Sequence, residues 1–141
     1  MRVFIALIQC LLIHCCLGNN NNGKVQCVGC DFEEDPQKHI YKVMAEESLR
    51  KYLETNGYHR LYTVLQVQRV RTQLVSGKIT KINFVAGATN CILDKQMNPV
   101  NPPCVIIHPV EILECYSEIL EIPWKNFRGI KVTCNPVNYR G

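Results

Sequence analysis

The sequence predicts an α+β fold, one long helix packed across an antiparallel sheet, and three observations carry that prediction. A stretch of about 20 residues, 36–56, has helical periodicity and no interior Gly or Pro. The segments that follow it are rich in β-branched and aromatic residues and alternate in polarity. Short turns join those segments in pairs, so the expected sheet is antiparallel and needs only one helix to cover it.

Taken in chain order, the N-terminus reads first as a secretory signal. Arg2 supplies the charge and Val3 to Leu12 an apolar run broken only by Gln9. About ten residues are too few for a membrane span, which needs ~20. Cleavage is expected after Gly18, leaving 141 − 18 = 123 residues. The polar segment 19–26 is expected to be flexible and to stay outside the core, and 27–141 to form one domain.

The helix is expected over Pro36 to Asn56. Asp35 is its expected N-cap, Pro36 its first turn, and Asn56-Gly57 its stop. Ile40, Met44, Ala45, Leu49, Tyr52 and Leu53 recur on its apolar face. Tyr58 to Val75 and Lys78 to Ala86 read as strands, with Ile82, Phe84 and Ala86 on one side. Ser76-Gly77 between them is a tight turn, which places Gln73 to Gly77 at a hairpin tip. A second strand pair, Cys115 to Ile122 and Gly129 to Cys134, is joined through Pro123-Trp124-Lys125-Asn126. Pro123 cannot donate to a ladder and marks the end of pairing. Residues 98–109 contain four prolines and are expected to be an irregular excursion.

Charge and motifs exclude several classes of function. Without the signal the chain carries 15 Lys and Arg against 12 Asp and Glu, a net of about +3 with no basic run, so no nucleic-acid partner is expected. Lys38, Lys42, Arg50 and Lys51 on the helix are balanced by Glu46, Glu47 and Glu54, the pattern of a solvated face. There is no phosphate loop, no His-Glu-x-x-His and no nucleophile elbow. His39, His59 and His108 are expected to be surface or structural, because cysteines in a paired framework are poor nucleophiles. Neither an enzyme, nor a cofactor, nor a metal is expected.

Three of the nine cysteines, Cys10, Cys15 and Cys16, lie in the signal. The remaining six imply a disulfide framework in an exported protein, with 15 pairings open to sequence arithmetic. Cys27-x-x-Cys30 has zinc-ligand spacing but lacks a second ligand pair, and it has the form of a redox couple without the βαβ context. Pairing with each other or between chains also remains open for these two.

The isolated Gly29, the loop Gln73-Leu74-Val75-Ser76-Gly77, the dipeptide Pro123-Trp124 and the last four cysteines occur in an order that resembles the secreted, type 2 cystatins. Those proteins are reversible inhibitors of papain-like cysteine proteases. The resemblance spans nearly the whole chain after the signal. Leu74 and Ser76 stand where Val and Ala are commonest in the loop, and Cys30 where a second Gly is frequent.

The resemblance implies a cystatin fold, with the sheet wrapped around the helix, and bonds from Cys91 to Cys104 and from Cys115 to Cys134. Loops of that size would each contribute roughly 3 kcal/mol in the chain-entropy model. It further implies a secreted monomer that blocks the cleft of cathepsin-type proteases with a three-part wedge. Val28 would fill the protease's apolar second subsite, Gly29 would bend the trunk past the active site, Gln73 to Gly77 would fill the centre, and Pro123 with Trp124 would hold the primed side. Asn56 lies near the position from which some cystatins inhibit legumain, though without the usual Ser-Asn-Asp setting. The alternative function is a non-inhibitory cystatin-fold protein with an extracellular binding or host-defence role. A cathelicidin-like precursor would append a cationic peptide, and none is expected after Cys134.

Overall fold

A computed structural model describes residues 27–137. The expected signal 1–18, its cleavage point and the segment 19–26 lie outside the described residues, as do 138–141 of the expected domain.

His39–Thr55 form helix α1. Tyr41, Met44, Ala45, Ser48, Leu49 and Leu53 are its buried residues, and spacings of three, one and four put them on one stripe. The helix starts three residues later than the sequence suggests. Asp35 does not cap it; its Oδ1 accepts the Gln37 backbone N–H at 2.9 Å and closes a local turn, and Lys38 at the helix boundary is extended. Ile40, expected on the buried face, is 54% exposed, and Tyr41 is buried instead. At the other end the Tyr58 N–H donates to Leu53 O at 2.9 Å and the Gly57 N–H to Glu54 O at 3.3 Å. Gly57 has φ +66°, so its left-handed backbone lets these last carbonyls be satisfied.

Five strands form one antiparallel sheet in chain order: β1 (Asp31–Glu34), β2 (Arg60–Val75), β3 (Gly77–Ile92), β4 (Ile112–Ile122) and β5 (Phe127–Val137). The sequence gives no sign of β1. β3 and β5 run beyond their expected ends, β3 to Ile92 and β5 through Pro136. Proline is tolerated there because β5 is an edge strand.

Alternation supplies the core. Val67, Val70, Ile82, Phe84, Ala86, Leu113 and Ile119 are buried with the apolar face of α1. Register shifts between Arg60 and Tyr62, Val64 and Gln66, and Val67 and Arg69 break the regular pairing of β2, and such bulges curve a strand around the element it covers. A polar link between the helix and the sheet lies within this core and is satisfied. Ser48 donates its proton to Met44 O at 2.9 Å, so the 2.6 Å contact between the two hydroxyls is donated by Ser117 to Ser48.

Cys115 and Cys134 are direct partners across β4 and β5 and are bonded to each other, with Cα atoms 4.1 Å apart. Cys91 at the end of β3 is bonded to Cys104 and tethers the irregular excursion, where only isolated bridges form, Thr89 with Ile106 and Leu93 with Pro99. No helix among the described residues is long and apolar enough to cross a membrane.

Candidate functional site

The β2–β3 hairpin turns within one residue. Val75 pairs with Gly77, leaving Ser76 at the tip. Gly77 has φ +121°, and a Cβ there would lie 2.4 Å from Glu121 O and 3.1 Å from Ile122 Cγ1. Only glycine lets β3 leave the turn this close to β4. Lys78 then pairs with Glu121, so the first hairpin tip lies beside the end of β4.

Beyond Ile122, Pro123–Lys125 form one turn of 3₁₀ helix. Proline suits its first position because no N–H is needed there. Asn126 takes a left-handed conformation, φ 47°, and its N–H donates to Pro123 O at 3.0 Å, after which Phe127 pairs with Ile122. The closed turn leaves Trp124 68% exposed. Phe127 is half-exposed beside it, its ring edge 3.1 Å from where a Cβ on Gly129 would be.

The third segment reaches the same end from the other side of the hairpin. Cys27 is bonded to Cys30, which closes a small ring within one chain. Inside it Val28 is 85% exposed and Gly29 has φ +84°. The Gly29 N–H donates to Leu74 O at 2.9 Å, and Gln73 Nε2 donates to Gly29 O at 2.8 Å. The Gln side chain therefore ties the trunk to the hairpin.

β1 is held by charge more than by apolar burial. Asp31 accepts from Arg71 at 3.0 Å and from Lys81 at 2.9 Å, and Glu33 is paired with Arg69. The hydrogen bond from Lys81 holds the Asp31 carboxyl below its usual range, and the one from Arg69 does the same for Glu33.

Gly29 beside Leu74, Ser76 at the first tip, and Pro123 with Trp124 at the second thus stand in a row along one end of the sheet. Val28, Gly29, Val75, Ser76, Pro123 and Trp124 are exposed, while Gln73, Leu74 and Gly77 are half-buried supports. What this row offers is backbone, small side chains and apolar tips. His39, His59 and His108 are all exposed, and among the described residues no group of three or more His, Cys, Asp or Glu is placed to hold a metal ion. Asn56 terminates α1, its side chain donating to Tyr52 O at 2.8 Å, near the start of β2 and far from the row. Sequence reasoning did not find Phe127, nor the link from Gln73 to Gly29. An apolar residue just past a turn marks the first; the second depends on a long-range pairing with no local signature.

A family model described as a cystatin domain matches residues 29–111, more than half of the chain. Human kininogen-1 is 28% identical over 121 residues, which cover 79% of this chain and 17% of that protein, so the chain spans about a sixth of this relative's length. Among solved structures, dimeric human cystatin F superposes with a TM-score of 0.66 at 19% identity, over 88% of this chain and 99% of that one. A salivary cystatin from the soft tick Ornithodoros moubata gives 0.62 at 22% identity, over 77% and 99%. At these identities the structural likenesses speak for the fold alone.

Proposed function

Because the chain belongs to the cystatin family, we propose that it is a secreted, reversible inhibitor of papain-like cysteine proteases of the cathepsin type, acting as a monomer. The observation that carries this reading is the row of three exposed segments on one end of the sheet, each fixed by the fold before any partner arrives. Val28 enters the protease's apolar second subsite, Gly29 and the Gln73 to Gly77 tip lie across the catalytic centre, and Trp124 packs on the primed side.

The row is suited to blocking and not to being cut. Ser76 lies in a one-residue turn whose neighbours are paired to each other, so its peptide bonds are not free to extend along a cleft as a substrate would. Affinity then comes from shape already in place and from one or two desolvated apolar contacts. The bonds between Gly29, Leu74 and Gln73 lower the ordering cost of the trunk, which at roughly 1–2 kcal/mol per residue would otherwise subtract from binding.

The test is competition for the cleft. Immobilised papain with a free active site should retain the oxidised protein, and papain whose cleft is filled by a covalent substrate-like inhibitor should not. Equal retention by both would place the contact elsewhere and reject the reading.

A further inference from the structure

At the opposite end of the sheet a cleft of about 700 Å³ opens between the start of β2, the loop before β4 and the end of β5. Tyr62 on its wall lies 11 residues before Gln73 along β2, on the order of 35 Å at ~3.3 Å per residue, so this cleft is separate from the inhibitory row. Its size falls within the range of small-molecule sites, about 300–1,000 Å³.

Two of its walls are aromatic. The rings of Tyr58 and Tyr62 are 5.6 Å apart and meet at 85°, forming a corner, with the Tyr52 ring tilted at 46° to Tyr58 and 5.6 Å from it. Glu111 lines the same cleft and accepts the Tyr62 hydroxyl at 3.0 Å. Burial first, and then this hydrogen bond, pushes the Tyr62 phenol up to about 12, so it stays a neutral donor at physiological pH. Among the described residues no Lys, Arg or His is paired with Glu111. Arg60, whose charge is felt at Tyr62, donates to Thr89 O at 3.1 Å instead. The remaining wall, including Pro109, Leu113 and Pro136, is apolar.

We propose that this cleft binds a small organic cation of the quaternary ammonium type, its charge set between Glu111 and the rings of Tyr58 and Tyr62 and its carbon atoms against the apolar wall. A carboxylate with no cationic partner among the described residues, beside two ring quadrupoles, favours positive charge, and an apolar wall favours a cation that sheds water easily. A quaternary ammonium meets both demands because it has no N–H to leave unsatisfied.

The test uses the full oxidised chain and two probes of matched shape, choline and its neutral carbon analogue 3,3-dimethylbutanol, followed by the ring resonances of Tyr58 and Tyr62. Choline should give saturable shifts, and the neutral analogue should bind at least about tenfold more weakly. Glu111→Gln, which keeps an acceptor for Tyr62, should weaken choline by a similar factor while leaving protease inhibition intact. Tyr58→Leu is the second variant should Glu111→Gln lose its fold, and Trp124→Ala should leave choline binding unchanged. Equal binding of both probes overturns the proposal, as does absence of choline binding. Binding seen only in Arg140→Ala also overturns it, since the chain's own guanidinium would then replace an external ligand.

Discussion

Replacing Trp124 with Ala separates an interface contact from a structural one. The indole is 68% exposed in the free protein, so of its roughly 200 Å² some 140 Å² is still open to be covered by a partner. At about 25 cal/mol per Å² that is worth ~3.5 kcal/mol, and fixing the side chain costs about 1.5 kcal/mol, leaving ~2 kcal/mol. Trp124→Ala should therefore weaken inhibition of papain about thirtyfold, mainly through faster dissociation. Its turn is closed by backbone, through Asn126 and Pro123, and not by the indole. Thermal stability should consequently fall by no more than about 1 kcal/mol. The assay is the progress curve of papain inhibition beside a melting curve for the parent and the variant. A variant that melts several degrees lower yet inhibits as tightly would show that the indole serves its own hairpin, and the reasoning would be refuted.

Gly77→Ala would force a Cβ to within 2.4 Å of Glu121 O at a φ that side chains avoid, so a loss of roughly 2–4 kcal/mol in chemical denaturation is expected, together with weaker inhibition as the two tips shift. Unchanged stability would mean that β3 and β4 are not this close. For β1, the carboxyl pKa values of Asp31 and Glu33 are lowered on folding, so their stabilising effect is complete above the unfolded values near pH 4 and is lost as pH falls through the folded ones. The melting difference between parent and Asp31→Asn should hold at pH 6 and shrink as pH falls below the unfolded carboxylate value; a difference that grows on acidification contradicts the sign. Opening the trunk ring with Cys27→Ser and Cys30→Ser together should leave the melting curve unchanged and weaken inhibition by up to about tenfold, as Val28 and Gly29 must then be ordered on binding. Mass spectrometry of the unreduced parent that found either cysteine joined to a second chain would contradict the ring itself.

Periodicity and turn chemistry made the helix and both hairpins legible, because both signals are local. The errors are also physical. Asp35 and Pro36 have the right composition for a helix start, yet the Asp35 side chain closes the turn to Gln37, and nothing in the pattern separates a cap from a turn three residues earlier. Ile40 and Tyr41 are neighbours on the helix, and which of them turns inward depends on how the sheet curves. β1, with the sequence Asp-Phe-Glu-Glu, has poor strand propensity and exists through ion pairs to β2 and β3, partners 36 to 50 residues away. The continuation of β3 past Ala86 is hidden by Gly87, which reads as a breaker, whereas its missing side chain makes room for Leu65, whose Cδ1 would lie 2.9 Å from a Cβ there. For the site, the residues at each tip were readable one by one. That they form a single row follows from the register Asp31 with Gln73, Lys78 with Glu121 and Ile122 with Phe127, which no segment of sequence contains alone.

The most direct measurement of the central claim is a titration of active-site-calibrated papain with the purified, fully oxidised protein, followed by dilution and recovery of both partners. One protein molecule should silence one protease molecule at sub-micromolar concentration, activity should return on dilution, and the inhibitor should come back uncleaved between Gln73 and Gly77. Papain that remains fully active at micromolar inhibitor, or a protein recovered cut at its first tip, would contradict the account of this chain as a preformed wedge.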